Sequence, residues 1–211
     1  IDDFHSEMEN QRAQSRAAGA IFGGDLDVVR SYQELDVDST IFSGYENLTG
    51  STVVVCLLAD GNMVNQAVEG ERIEVILKET PFYAEMGGQS GDSGEIICHG
   101  GTLLVEDTYS PIAGLIVHKC MVVTGVINHG DIVETSVNFQ RRQDTACNHT
   151  ATHMLHAALR HILGSHVRQH GSLVVADRLR FDFTHVRSLT KDELREVERL
   201  TNEKIRENIS V

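Results

Sequence analysis

The chain has 211 residues, 41% of them hydrophobic and 23% charged, with a formal net charge of −13. That length allows one substantial domain or two small ones with a real core, and the acidic balance excludes indiscriminate binding to polyanions. No apolar run approaches the roughly twenty residues of a bilayer span, and the N-terminus lacks a basic segment followed by an apolar one, so a soluble cytoplasmic protein with no membrane partner is expected.

In chain order, residues 1–22 are rich in Glu, Gln, Arg and Ala and read as a polar helix that Gly23-Gly24-Asp25 ends, giving a connecting helix over 1–24. From Leu26 the pattern changes to short β-rich runs, Ser51–Leu58, Arg72–Leu77, Leu103–Val105, Leu115–Val126 and Ile132–Val137, separated by glycine-bearing turns. Strands this close together leave no room for crossover helices, so 25–139 is expected to form a small β-barrel-like domain. A second unit spans 140–211. A helix over His149–Leu163 stops at Gly164, a hairpin pairs Ser172–Val175 with Arg178–Phe183, and Thr190 with Glu193 three residues later forms a capping-box pattern opening a charged helix. The fold class is thus mixed, a small barrel followed by an α+β unit that looks incomplete, with strand edges left for other sequence or another chain to cover.

Between Thr80 and Gly94 the chain reads TPFYAEMGGQSGDSG. Neither GxxxxGK[ST] nor GxGxxG occurs there, so phosphate cradling is poorly supported and a tight crossing beside a cleft, with Glu85 and Gln89 orienting polar partners, is the plainer reading. Further on, His149 and His153 stand one turn apart on a helix, so both imidazoles reach a common point. That point suits a metal or a hydrogen-bonded polar face. Two imidazoles are half of a zinc site, and Thr150 stands where a zinc protease carries its Glu, so peptide hydrolysis is not indicated. Seven of the eleven histidines lie between His149 and His185. Cys56, Cys98, Cys120 and Cys147 contain no CxxC pair and read as free thiols, Cys147 reaching a metal only if the helix kinks.

Charge is uneven along the chain. Through Phe139 there are twenty-two acidic and six basic residues, whereas Gln140–Arg187 holds seven arginines against Asp144, Asp177 and Asp182. This local positive field fits either phosphate contacts or a salt-bridged solvated face. Alternation in Arg180-Phe181-Asp182-Phe183 puts the charged pair on one strand face and the rings on the other.

The Thr80–Gly94 segment, the HTATHMLHAALRHILGSHVRQHGSLV run over His149–Val174 and LRFDFTH over Leu179–His185 resemble the alanyl-tRNA synthetase family. The resemblance implies an enzyme that uses ATP to attach alanine to its tRNA, here represented by the linker helix, the β-rich domain and the first part of an editing domain that hydrolyses serine- or glycine-mischarged alanine tRNA. It further implies that His149 and His153 are two of four zinc ligands, the others lying in a Cys-Gly-Gly-Thr-His segment absent from this sequence, and that Thr152 and Gln169 belong to the editing pocket. ATP would be used by an aminoacylation part not contained here. Two alternatives stand beside this reading: a free-standing tRNA deacylase, and a tRNA-binding or structural module without catalysis.

Overall fold

The computed structural model describes residues 26–207, and the helix expected over 1–24 lies outside the described residues. A short helix, α1 (Leu26–Gln33), precedes ten strands: β1 (Ile41–Phe42), β2 (Thr49–Ala59), β3 (Asn62–Met63), β4 (Gln66–Val68), β5 (Arg72–Leu77), β6 (Glu79–Thr80), β7 (Gly94–Cys98), β8 (Gly101–Tyr109), β9 (Val117–Asn128) and β10 (Ile132–Val137). The antiparallel order β10-β7-β8-β9-β5-β2 closes because β10 also pairs with β2, from Ile132 opposite Val53 to Ser136 opposite Thr49. Closure leaves these six strands no open edge.

Alternation fills the interior. Val54, Leu77, Ile96, Leu103, Val105 and Val122, all essentially inaccessible, lie in one cluster inside the barrel. Each such aliphatic side chain stabilises the fold by roughly 1.5–3 kcal/mol. A register shift between Val54 and Cys56 changes the parity of β2, so Val54 and Leu57 join the inner cluster while Cys56 and Leu58 join a second one outside. Tyr32 of α1 and Leu115 cover that outer cluster.

The inner wall also holds a histidine. His118 is fully buried; its Nδ1 lies 2.9 Å from the Val75 carbonyl and its Nε2 2.8 Å from the Thr80 hydroxyl. A carbonyl only accepts, so Nδ1 carries the proton and Nε2 accepts from Thr80. Burial pushes this ring down to about 4, opposed only partly by the bond to Val75.

After β10, α2 (Phe139–Leu163) starts at once, its N-cap Asn138 accepting from the Arg141 amide at 3.0 Å. The helix therefore begins ten residues before the His149 at which the sequence suggested a start; its first turns are polar and carry no apolar stripe to reveal them. Next come the hairpin β11 (Gln169–Val174) and β12 (Leu179–Phe183), then α3 (Lys191–Arg206). Ala158, Leu159, Val167 and Val197 form the buried centre of this second layer, with Phe181 and Phe183 packed against it. Arg180 pairs with Asp182 at 3.2 Å on the opposite strand face. At the start of α3 the capping box is complete, and the Arg187 guanidinium together with Thr190 holds the Glu193 carboxyl down at about 2. No helix among the described residues is long and apolar enough to cross a membrane.

Candidate functional site

Two features bind the barrel to α2 and the hairpin. The first is Arg142, whose guanidinium forms an ion pair with Asp92 and donates to the carbonyls of Gly44 and Pro81, each at 2.8 Å. Asp92 in turn accepts from the Tyr83 amide at 2.7 Å, so a nearly buried carboxylate has every partner it needs. The second is the turn Met86–Gln89. Its two central residues have positive φ, 62° at Gly87 and 87° at Gly88, which is the two-residue hairpin geometry that glycine permits. A Cβ on Gly88 would stand 2.3 Å from the Ser172 carbonyl, and the close approach lets Val174 donate to the Gly88 carbonyl at 2.7 Å. The glycine-rich segment is thus a tight crossing, and it delivers Gln89 to the helix.

At that crossing lies a cavity of about 110 Å³ bounded by Gln89, His149, Thr152, His153, His156 and Gln169 among others. The side chains come from the barrel turn, from α2 and from β11. His149 donates from Nδ1 to the Gln89 Oε1 at 2.6 Å, which leaves its Nε2 as an acceptor 3.1 Å from the Nε2 of His153. The rings are stacked, with centroids 5.0 Å apart. Two nitrogens bound to one tetrahedral zinc would be separated by about 3.3 Å, so the pair fits one half of such a site. No group of three or more potential ligands is present among the described residues. The helix runs unbroken through Cys147, which is exposed and on another face.

Thr152 is buried at 6% exposure, and its hydroxyl donates to the Asn148 carbonyl at 2.8 Å one turn earlier. Its oxygen keeps acceptor capacity toward the cavity. Gln169 is exposed at the start of β11 and lines the same cavity. His156, which the sequence did not single out beyond its place among the histidines, also lines it; its Nε2 is shielded from solvent and has no hydrogen-bond partner among the described residues, while its ring lies 5.0 Å from Phe181. Its position seven residues after His149 on the helix was the available signal.

The arginines divide. Arg142 is the joint, while Arg178, Arg180 and Arg187 pair with Asp177, Asp182 and Glu193. Arg141 is half-buried, whereas Arg160 and Arg168 are exposed. Salt-bridged surface therefore accounts for much of the local positive charge, and these two remain the best placed to meet phosphate.

Comparison with known proteins gives the chain its setting. Residues 1–141 match the family model described as tRNA synthetases class II (A). The alanine–tRNA ligase of Chloroflexus aurantiacus is 46% identical over 209 residues, 99% of this chain and 23% of that protein. Those of Dehalococcoides mccartyi and Thermotoga maritima are 41% and 44% identical, each over 100% of this chain and 24% of their own length. The chain thus spans about a quarter of the curated relatives it matches.

These matches correct the assignment drawn from the motifs. The stretch read as linker helix and β-rich domain, with the first residues of α2, falls within a class II synthetase family model, which identifies it with the synthetase core; the chain is not an editing-domain fragment. The editing or deacylase function, the free-standing deacylase alternative and the description of the α+β unit as an editing domain fall with it. The physical reason is that shared motifs identify a family, whereas the chemistry of one unit has to be shown by its own site. Zinc binding likewise gains no support as a property of this segment alone, since the histidine pair is only half a site and no ligand triad is present among the described residues.

Proposed function

Because the chain belongs to the class II (A) tRNA synthetase family, we propose that it is part of a cytoplasmic alanine–tRNA ligase and that its polar cavity receives the acceptor end of alanine tRNA. One observation carries the reading: Gln89, His149, Thr152, His153 and Gln169 come from three separate elements and line one small cavity. The cavity offers amide, hydroxyl and imidazole groups, which suit ribose hydroxyls and base edges, with Arg160 and Arg168 on the same unit to meet the backbone. Identity of 41–46% to alanine–tRNA ligases over 99–100% of this chain, which is 23–24% of their length, supports alanine as the amino acid.

In this reading Gln89 fixes the tautomer and orientation of His149, as a hydrogen-bonded partner does for a ligating or substrate-binding imidazole. His149 and His153 would supply two imidazoles to a zinc ion whose other ligands come from elsewhere in the ligase, and the ion would supply charge and fixed geometry at the cavity mouth. Thr152 and Gln169 hold the guest by hydrogen bonds. ATP would be consumed at residues outside this chain.

The test has two arms. The complete protein is assayed for ATP-dependent attachment of radiolabelled alanine to an alanine tRNA transcript; attachment is expected, and failure with alanine but success with another amino acid overturns the ligase assignment. The 211-residue chain is then titrated with a labelled acceptor-stem minihelix, where Gln89→Ala and Gln169→Ala should each weaken binding by about tenfold, the worth of one or two hydrogen bonds. Unchanged affinity in both variants removes the cavity from the interface.

A further inference from the structure

We propose that a second cavity, bounded by Phe42, Tyr45, Tyr83, Met86 and Ile116, holds one unpaired nucleobase of the tRNA's single-stranded end; this rests on the tRNA-binding reading above. The cavity measures about 280 Å³, near the lower end for small-ligand sites. No charged side chain among the described residues bounds it. A phosphate or a free amino acid would therefore bury its charge without a partner, whereas a neutral planar ring would not.

The aromatic side chains are displayed rather than packed away. Tyr45 is 88% exposed and Met86 64%. Phe42 meets Tyr45 at 5.0 Å and Tyr83 at 6.2 Å, both edge to face, so no two of these rings stack on one another and ring faces stay available to a planar guest. Single-stranded nucleic acid is held in this way, by stacking of a base on an aromatic ring. The hydroxyls of Tyr45 and Tyr83 make no hydrogen bond among the described residues and can address the edge of a base or a ribose.

The site is built before any guest arrives. Strand β1 pairs in parallel with β6, and the Ser43 amide donates to the Thr80 carbonyl at 2.9 Å. Gly44, next to Tyr45, has no room for a Cβ, which would stand 2.2 Å from the Pro81 carbonyl. Arg142 clamps the carbonyls of Gly44 and Pro81 from α2. The helix that carries His149 thus also fixes the turn that carries Tyr45.

Continuity with the polar cavity comes from the turn Met86–Gln89. Met86 lines the aromatic cavity, while Gly87 and Gln89 line the polar one. One four-residue turn is the wall between them. A strand end that places its terminal ribose at Gln89 and His149 can therefore lay a neighbouring base across the turn onto Tyr45.

The experiment measures fluorescence anisotropy of a labelled acceptor-stem minihelix with its single-stranded 3′ end, titrated with the 211-residue chain. Tyr45→Ala should leave thermal unfolding unchanged, because the ring is exposed, and weaken binding by about 5- to 150-fold, the range for one stacked base. Tyr45→Phe should retain nearly all of the affinity. An abasic nucleotide at one position of the 3′ end should cause the same loss and add nothing to Tyr45→Ala. Tight binding that neither Tyr45→Ala nor any abasic position alters would overturn the nucleobase site and leave the tRNA reading standing. No binding of the minihelix by the unaltered chain would overturn both.

Discussion

The barrel and the unit after it handle polar groups in opposite ways. In the barrel every main strand has two neighbours, and the buried histidine, His118, has both nitrogens bonded, to the Val75 carbonyl and the Thr80 hydroxyl. Among the described residues of the second unit two strands form the sheet, and His149 and His153 are exposed and bonded to each other. The difference teaches where each kind of work is done. A closed sheet keeps its buried histidine bonded and out of reach, so the histidine pair is displayed on a thinner layer and made definite by what the barrel reaches across to it. Gln89 and the Arg142–Asp92 pair are that reach.

Cutting the reach should have the largest effect. Arg142→Ala leaves Asp92, with a side chain only 6% exposed, charged and short of its main partner, and frees the carbonyls of Gly44 and Pro81. Removing one member of a buried pair costs roughly 3–5 kcal/mol. Urea unfolding followed by circular dichroism should show that loss, with the helical signal melting ahead of the strand signal. A midpoint like that of the unaltered chain would mean that the two units are held by packing alone.

A smaller effect sharpens the contrast between the histidines. Burial depresses His118 to about 4, so the folded chain holds the ring neutral while the unfolded chain protonates it near the ordinary value of about 6.5. Its contribution is complete above about pH 6.5, declines as pH falls, and is gone once pH passes below about 4, a change on the order of 3 kcal/mol. Stability measured across that window should lose this slope in His118→Gln and keep it in His153→Gln. The same slope in both variants would assign it to other groups.

The smallest effect stays within the second unit. Thr190→Ala removes the hydroxyl that accepts from the Glu193 amide, worth about 1 kcal/mol at a helix N-cap. Hydrogen exchange should quicken in α3 and remain unchanged in the barrel strands, and Thr190→Ser should restore it. Equal acceleration in both units would show that they open together.

Local signals made part of this visible in the sequence. Alternation located Arg72–Leu77 and Ile132–Val137 to the residue, the Thr190–Glu193 spacing located the capping box, and the four-residue interval placed His149 and His153 on one face. Strand β7 escaped because it begins on Gly94, inside a run whose glycines mark a turn. The early turns of α2 escaped because their anchor is Arg142, which acts on residues 50 to 98 positions away in sequence. Gln89 was read as able to orient a partner, but its meeting with a histidine 60 residues on is a product of topology and not of any local pattern. The motifs named a family correctly and a unit incorrectly, since the same residues serve packing, crossing and display at once.

Barrel closure also sets an order of events during synthesis. The Thr135 hydroxyl meets the Gly50 carbonyl 85 residues away, so the first long strand waits for the last before the ring can shut. At about 5–20 residues per second that wait lasts several seconds on the ribosome. The inward-facing Val54 and Leu57 of β2 wait that long for Val133 and Val137 of the last strand, and Asp92 is already made before Arg142 emerges just behind it. The guanidinium then arrives as the ring shuts, so the latch is manufactured immediately after the door it fastens.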